Sequence, residues 1–230
     1  MKRFDTPPAG RQTVPVTALA DIFPPFGLRI RCAELELRLP TDADLPGLIE
    51  LAARGVHGPD EMPFSHPWTA AAPEDLPADF VRFDARTRQI TPENWALELM
   101  TLERGLPVGR QAVSGADFRR LKAVQTGSWV GLEHHGRGIG TLMRQMVLCL
   151  AFDELGAEIA TTEAYIDNGP SNGVSRRLGY RENGIVRVAR GDGWEWQQRY
   201  LLTPDDFVRP DVPVEYEGVA PLRRFLGLDA

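Results

Sequence analysis

Apolar residues in this chain alternate in some stretches and recur every three or four positions in others, and the two periods mark out its elements. Leu28, Ile30 and Cys32 alternate with polar neighbours, as do Leu35, Leu37 and Leu39, so 28–39 reads as one strand whose phase changes near Ala33 through a bulge. Thr41-Asp42-Ala43-Asp44 supplies an N-cap, and Leu45, Leu48, Ile49 and Ala52 follow at helical spacing, which predicts a helix over 42–54. A second helix is expected over 73–87, with Leu76, Phe80 and Phe83 turned inward. Three extended runs come next, 95–104, 106–112 and 121–131, the first two joined by a hairpin turn at Glu103-Arg104-Gly105-Leu106, with 116–120 a connection. From Ile139, the positions Leu142, Met143, Met146, Val147, Leu150 and Ala151 continue a helical period. Leu148, Cys149 and Phe152 on other faces imply burial on more than one side. Gly156 stops that helix. A strand over 159–165, a short helix over 171–178 and a hairpin of 180–190 with 194–202, turning at Gly191-Asp192-Gly193, complete the pattern.

These elements fall within 27–207, read as one domain between an irregular proline-rich arm, 1–26, and a tail, 208–230, that packs on it and carries a short amphipathic segment, 222–228. An apolar fraction of 43% permits a sizeable core. The net charge of -6 leaves no basic surplus to neutralise phosphates, so a nucleic-acid partner is not expected. Cys32 and Cys149 have neither metal-ligand nor disulfide spacing; they are expected to be buried, reduced thiols of a cytoplasmic protein without a metal site. No apolar signal region opens the chain and no run reaches the ~18 apolar residues of a spanning helix, so neither secretion nor a membrane is expected.

The stretch with the clearest chemistry runs from Ser128 to Gly156. Trp129 and Val130 end an extended run, His135-Gly136-Arg137-Gly138-Ile139-Gly140-Thr141 makes a turn, and the long apolar helix follows. Glycines let the backbone approach a ligand closely, and the first unpaired amides of a helix carry the positive end of its dipole, so an anion belongs there. Three phosphate-binding turns compete. A Walker loop needs Gly-Lys-Ser/Thr, and the lysines of this chain are Lys2 and Lys122. A dinucleotide fingerprint needs a third glycine where Thr141 stands and a place near the start of a βαβ domain.

The third turn, [QR]-x-x-G-x-[GA], is that of the GNAT acyltransferases, and His135 to Gly140 resembles it at both glycines, with His135 where Gln or Arg is usual. About thirty residues on, Asp167-Asn168-Gly169-Pro170-Ser171 through Gly179-Tyr180 is similar to the family's second signature, an Asn opening a short helix closed by a Gly-aromatic pair. The resemblance covers roughly 94–207 and is nearest to the ribosomal-protein serine and alanine acetyltransferase branch and its actinobacterial relatives. It implies an α/β (α+β) GNAT-like fold, a mixed and mostly antiparallel central sheet flanked by helices. It also implies an N-acyltransferase, an N-acetyltransferase with an N-succinyltransferase of the same fold as the alternative, that moves an acyl group from acetyl-CoA or another acyl-CoA to a primary amine on a small molecule, peptide or protein. A homodimer follows from the resemblance and from the apolar groups of the terminal segments.

Residue by residue, the resemblance assigns coenzyme binding to Ser128, Trp129, Val130, His135, Gly136, Arg137, Gly138, Ile139, Gly140, Thr141, Asn168 and Ser171. The backbone of 128–130 would pair with the pantetheine arm, and an N–H there would polarise the thioester carbonyl. Trp129 reads equally as core and Asn168 as a turn residue. For the proton donor, Ser175 stands where many members carry Tyr and Ser171 matches a serine of the ribosomal branch; each is also an ordinary helix serine. For the base, Gln125 stands nearest to a common carboxylate position and accepts no proton, leaving Glu163, Glu98, His134 or a water chain. Arg82, Arg86 and Arg88 are a solvated face or partners of a carboxylated acyl group or an acidic acceptor. The loop 55–73, with Met62-Pro63-Phe64-Ser65-His66-Pro67-Trp68, packs on the sheet or borders the acceptor pocket. Two rival readings keep the fold without catalysis: a coenzyme A-binding module, which Gln125 favours, and an interaction protein acting through its arm and tail.

Overall fold

The computed structural model describes residues 18–229; most of the expected N-terminal arm, 1–17, and residue 230 lie outside the described residues. The strands are β1 (Arg29–Cys32), β2 (Leu35–Arg38), β3 (Asn94–Glu103), β4 (Leu106–Ala116), β5 (Ala123–Val130), β6 (Ile159–Tyr165), β7 (Arg181–Arg190), β8 (Gly193–Leu202) and β9 (Glu215–Glu217). They form one nine-stranded sheet in the order β7-β8-β6-β5-β4-β3-β2-β1-β9. The β5–β6 pair is parallel and the other recorded pairs are antiparallel.

The phase change at Ala33 is a turn and not a bulge. Ile30 pairs with Leu37 and Cys32 with Leu35, so the expected single strand folds back on itself about Ala33, which takes φ +50°. A two-residue turn keeps both apolar sets on one face, because residues facing each other across a hairpin point the same way. β4 runs four residues beyond its expected end, and the hairpin at Arg104 and Gly105 is as expected.

Among the described residues seven α-helices accompany the sheet: α1 (Leu19–Ile22), α2 (Leu45–Ala53), α3 (Leu76–Thr87), α4 (Phe118–Leu121), α5 (Ile139–Cys149), α6 (Gly169–Arg177) and α7 (Val219–Phe225). The main core lies between α5 and the sheet face that carries Trp95, Leu97 and Leu99. A smaller cluster on the other face joins Leu48, Leu76 and Phe80 of α2 and α3 to Met100 and Leu102. Asp84 takes the inward place expected for Phe83, which is 39% exposed. The positions 76, 80 and 84 form the four-residue stripe, and Arg110 of β4 meets the Asp84 carboxylate at 3.2 Å. After α5 the chain makes one wide turn, Leu150–Glu154, and Gly156 ends it at φ +76°.

The described terminal segments meet at the β1–β9 edge of the sheet. β9 pairs with β1, Phe23 packs edge-on against Phe225 at 5.2 Å, and Leu222 and Leu226 are fully buried. Leu222 and Leu226 therefore serve this protomer's own core, while Leu19, Ile22, Val208 and Val212 of the terminal segments stay exposed. Cys32 and Cys149 are free and buried; burial raises both thiols, Cys149 to about 11. Among the described residues, no helix is long and apolar enough to cross a membrane and no cluster could hold a metal ion.

Candidate active site

The glycine-rich turn joins β5 to α5 and opens onto a cavity of about 910 Å³. Gly136 and Gly138 sit at φ +74° and +81°, where a side chain is strained, and the space beside each is open. Gly138 caps α5; its carbonyl accepts from the amides of Thr141 and Leu142, so the amides before them point outward. Among the described residues the N–H groups of Gly136, Arg137 and Gly138 meet no acceptor. These free donors and the helix dipole make an anion site built of backbone. His135 Nε2 donates to the Val130 carbonyl at 2.9 Å, tying the turn to the end of β5. Arg177 of α6 donates to Thr141 Oγ1 at 3.2 Å and adds a cation beside the turn.

From the turn the cavity runs between two strands that part. β5 and β6 pair only at Ala123–Ile159, Val124–Ala160 and Gln125–Thr161. Beyond that, the Thr162 hydroxyl donates to the Thr126 carbonyl at 3.0 Å in place of a ladder bond. Gly127, Ser128, Trp129 and Val130 then line the gap from one side and Thr162, Glu163 and Ala164 from the other. An extended segment laid in this gap meets unpaired strand edges, which is strand addition inside a sheet.

Across the gap stands α6. Asn168 is its N-cap, accepting from the Ser171 amide at 3.1 Å, and both residues line the cavity. Among the described residues the Ser171 hydroxyl has no partner, and the Ser171 carbonyl accepts from the Ser175 hydroxyl. The floor holds Arg144 of α5, 4% exposed, which donates to Ser128 Oγ and Ser175 Oγ at 3.2 Å each and whose Nε has no partner. Burial pulls this guanidinium below its ordinary pKa and Tyr180 opposes the shift, yet an arginine stays charged.

The remaining wall comes from the loop after α2. His57, Phe64 and Trp68 form an aromatic ladder, with ring centroids 6.0 and 5.1 Å apart, that ends on Trp129 at 5.6 Å. The loop packs on the sheet through Trp68 and lines the cavity. The β7–β8 hairpin clasps it from above. Arg190 donates to the Met62 carbonyl at 2.9 Å, pairs with Asp167 at 2.6 Å and lies over the Tyr165 ring at 4.2 Å. Gln197 donates to Ser65 Oγ at 2.8 Å.

The cavity gathers every residue assigned to coenzyme binding except Arg137, and of the candidate acid and base groups it holds Ser171, Glu163 and His134 but not Ser175 or Glu98. Arg137 turns away to pair with Glu103 at 2.7 Å, and its remaining link to the turn is a bond to His134 Nδ1. Ser175 is fully buried, with its hydroxyl donating to the Ser171 carbonyl, so it cannot reach a ligand in the cavity. Glu98 lies outside the cavity wall, among Asp84 and Arg110, where burial raises its carboxyl above the usual range. Arg82 and Arg88 pair with Asp79, Asp42 and Asp84, and they and Arg86 stay clear of the cavity; they are no carboxylate subsite. Arg144, Arg177 and Arg190 escaped the sequence reading. For Arg144 a signal existed: it precedes Leu148 by four residues, on the face whose burial the extra apolar positions had already implied.

The glycine turn on parting strands has a match among known families. The acetyltransferase (GNAT) domain model covers residues 34–181. The chain belongs to the GNAT acetyltransferase family. As a GNAT acetyltransferase it is an enzyme whose co-substrate is acetyl-CoA or another acyl-CoA, with a mixed sheet flanked by helices. Among solved structures it is similar to Mycobacterium smegmatis RimJ in complex with CoA-disulfide, at 17% identity and TM-score 0.69 over 87% of this chain and 94% of that one. It is similar too to RimL, the ribosomal L7/L12 alpha-N-protein acetyltransferase, in complex with coenzyme A, at 18% identity and TM-score 0.57 over 76% and 96%. A GNAT-family acetyltransferase from Bacillus anthracis matches at 15% identity and TM-score 0.61 over 77% and 99%. The residues fit the coenzyme: the free amides at 136–138 suit a pyrophosphate, and the open strand edges suit an extended amide-bearing arm.

Proposed function

We propose that this GNAT member transfers an acetyl group from acetyl-CoA to the primary amine of a peptide or protein. The observation that carries the reading is the parting of β5 from β6 above a turn of free amides, both on one cavity. The free amides of 136–138 hold the pyrophosphate, with Arg177 beside them. The backbone of Ser128, Trp129 and Val130 holds the arm, and Asn168 and Ser171 face it from α6. Bound there, the coenzyme supplies an activated acyl thioester. An N–H at the end of β5 orients and polarises its carbonyl.

Glu163 takes the amine proton, through water where the fit is loose. Of the carboxylates considered as base, it is the one on the cavity wall where the strands part, with its nearest cation, Arg199, at 3.9 Å. Asp60 and Glu61 on the wall of the 55–73 loop suit a cationic acceptor. RimL is a ribosomal L7/L12 alpha-N-protein acetyltransferase, and its likeness supports a peptide amine as acceptor. The division into arm, domain and tail, a homodimer and a cytoplasmic location belong to the same proposal and rest on the sequence reading and the family.

The test is release of free thiol from acetyl-CoA and from succinyl-CoA over a panel of peptide and small-molecule amines. The expected result is turnover with acetyl-CoA and at least one peptide. Turnover with succinyl-CoA alone would change the acyl group. Coenzyme binding without turnover on any amine would leave a binding module in place of an enzyme reading for this chain.

A further inference from the structure

Arg144 is a buried cation with no recorded carboxylate within ion-pair reach among the described residues, placed where the cavity reaches the core. Six residues into the first turns of α5, it lies about 9 Å along the helix axis from Gly138. Removing a guanidinium from water without a counter-ion is costly, and an apolar side chain packs at such a place without that cost. Two serine hydroxyls, at 3.2 Å each, hold it between β5 and α6, and Nε is left without a partner. What it lacks is an anion, and the side it shares with the cavity is the side an anion reaches.

Resting on the acyltransferase reading, we propose that Arg144 is the counter-charge for the coenzyme A thiolate. When the amine nitrogen bonds to the acyl carbon, the carbon–sulfur bond breaks and its electron pair stays on sulfur. Arg144 stays protonated throughout and faces that charge. The surplus amine proton leaves through Glu163 and water to solvent, and the sulfur takes its proton from solvent after release. A cation then replaces a proton donor, consistent with the buried Ser175 hydroxyl. The other charged or titratable groups around this floor are Tyr180 beside Arg144, held neutral by burial, Glu163 from β6, Arg177 from α6, and His134 and His135 at the turn.

The test compares the affinity of free coenzyme A with that of its desulfo analogue from neutral to alkaline pH, by calorimetry, for the wild type, Arg144→Met and Arg144→Lys. Every other titratable group acts on both ligands, so their ratio isolates the sulfur. A cation in contact lowers a thiol pKa by about one to three units. The wild type should therefore come to prefer coenzyme A by roughly tenfold or more as pH rises. Arg144→Lys should keep part of that preference. Arg144→Met should lose it, still bind the desulfo analogue, and melt no lower than the wild type, an outcome a merely structural arginine would not give. The same rising preference in Arg144→Met, or a flat ratio in the wild type, would overturn the proposal. If Arg144→Met does not fold, the wild-type ratio and the lysine variant decide it. Failure of the wild type to bind either ligand would overturn the acyltransferase reading as well, and is told apart by the absence of any desulfo signal.

Discussion

The two ends of the cavity are built by different means. The end proposed for the donor is backbone: free amides at 136–138, a helix N-terminus and the edges of two parting strands. The end proposed for the acceptor is side chain: an aromatic ladder from His57 to Trp129 and a clasp from Arg190 and Gln197. A backbone site depends on local conformation, which a few glycines encode within a dozen residues. A side-chain site depends on which distant residues the fold brings together, and here the clasp joins positions 62 and 190, or 65 and 197. Donor recognition should therefore tolerate side-chain change, and acceptor recognition should not.

Four substitutions break or sharpen that contrast, from the largest effect down. Glu163→Gln should lower kcat roughly 10²- to 10⁴-fold, the usual range for a general base, with coenzyme affinity unchanged by calorimetry. Arg190→Ala frees the 55–73 loop; it should raise the acceptor KM severalfold while the acetyl-CoA KM stays within about twofold, read from bisubstrate kinetics. Asn168→Ala removes the α6 cap and should cost about 1 kcal/mol in thermal or denaturant unfolding, with a smaller change in coenzyme affinity. His135→Gln replaces one donor to the Val130 carbonyl by another and should leave coenzyme affinity within about twofold. A loss larger than that of Arg190→Ala would mean that the donor end also depends on side-chain identity.

The same contrast explains what could be read from the chain. The turn at 136–140, the strand at 159–165 and the helix after Gly138 are encoded by glycines and unbroken periodicity within one window, and the structure has them where expected. The hairpin at Ala33 was misread because a two-residue turn and a bulge both shift an alternating pattern by one, and only pairing with β3 and β9 separates them. β9 was missed because three residues carry too little pattern, and its pairing with β1 spans nearly the whole chain. At the site, Asn168 and Ser171 were legible through a signature. Ser175 was misplaced because its four-residue offset from Ser171 puts it against the Ser171 carbonyl and Arg144, on the buried side of α6. Arg190 carried no local mark, since its partners lie on the 55–73 loop and beyond β6.

The central claim is that the turn at 136–140 is a backbone anion cradle for acetyl-CoA. The most direct measurement is calorimetric titration of acetyl-CoA into the wild type and Gly138→Glu. At φ +81°, a side chain costs roughly 1–2 kcal/mol in backbone strain, and a carboxylate there also places negative charge where the amides point. The expected result is micromolar binding by the wild type and none by a folded Gly138→Glu. Equal affinity in the two proteins, or no binding by the wild type, would contradict it.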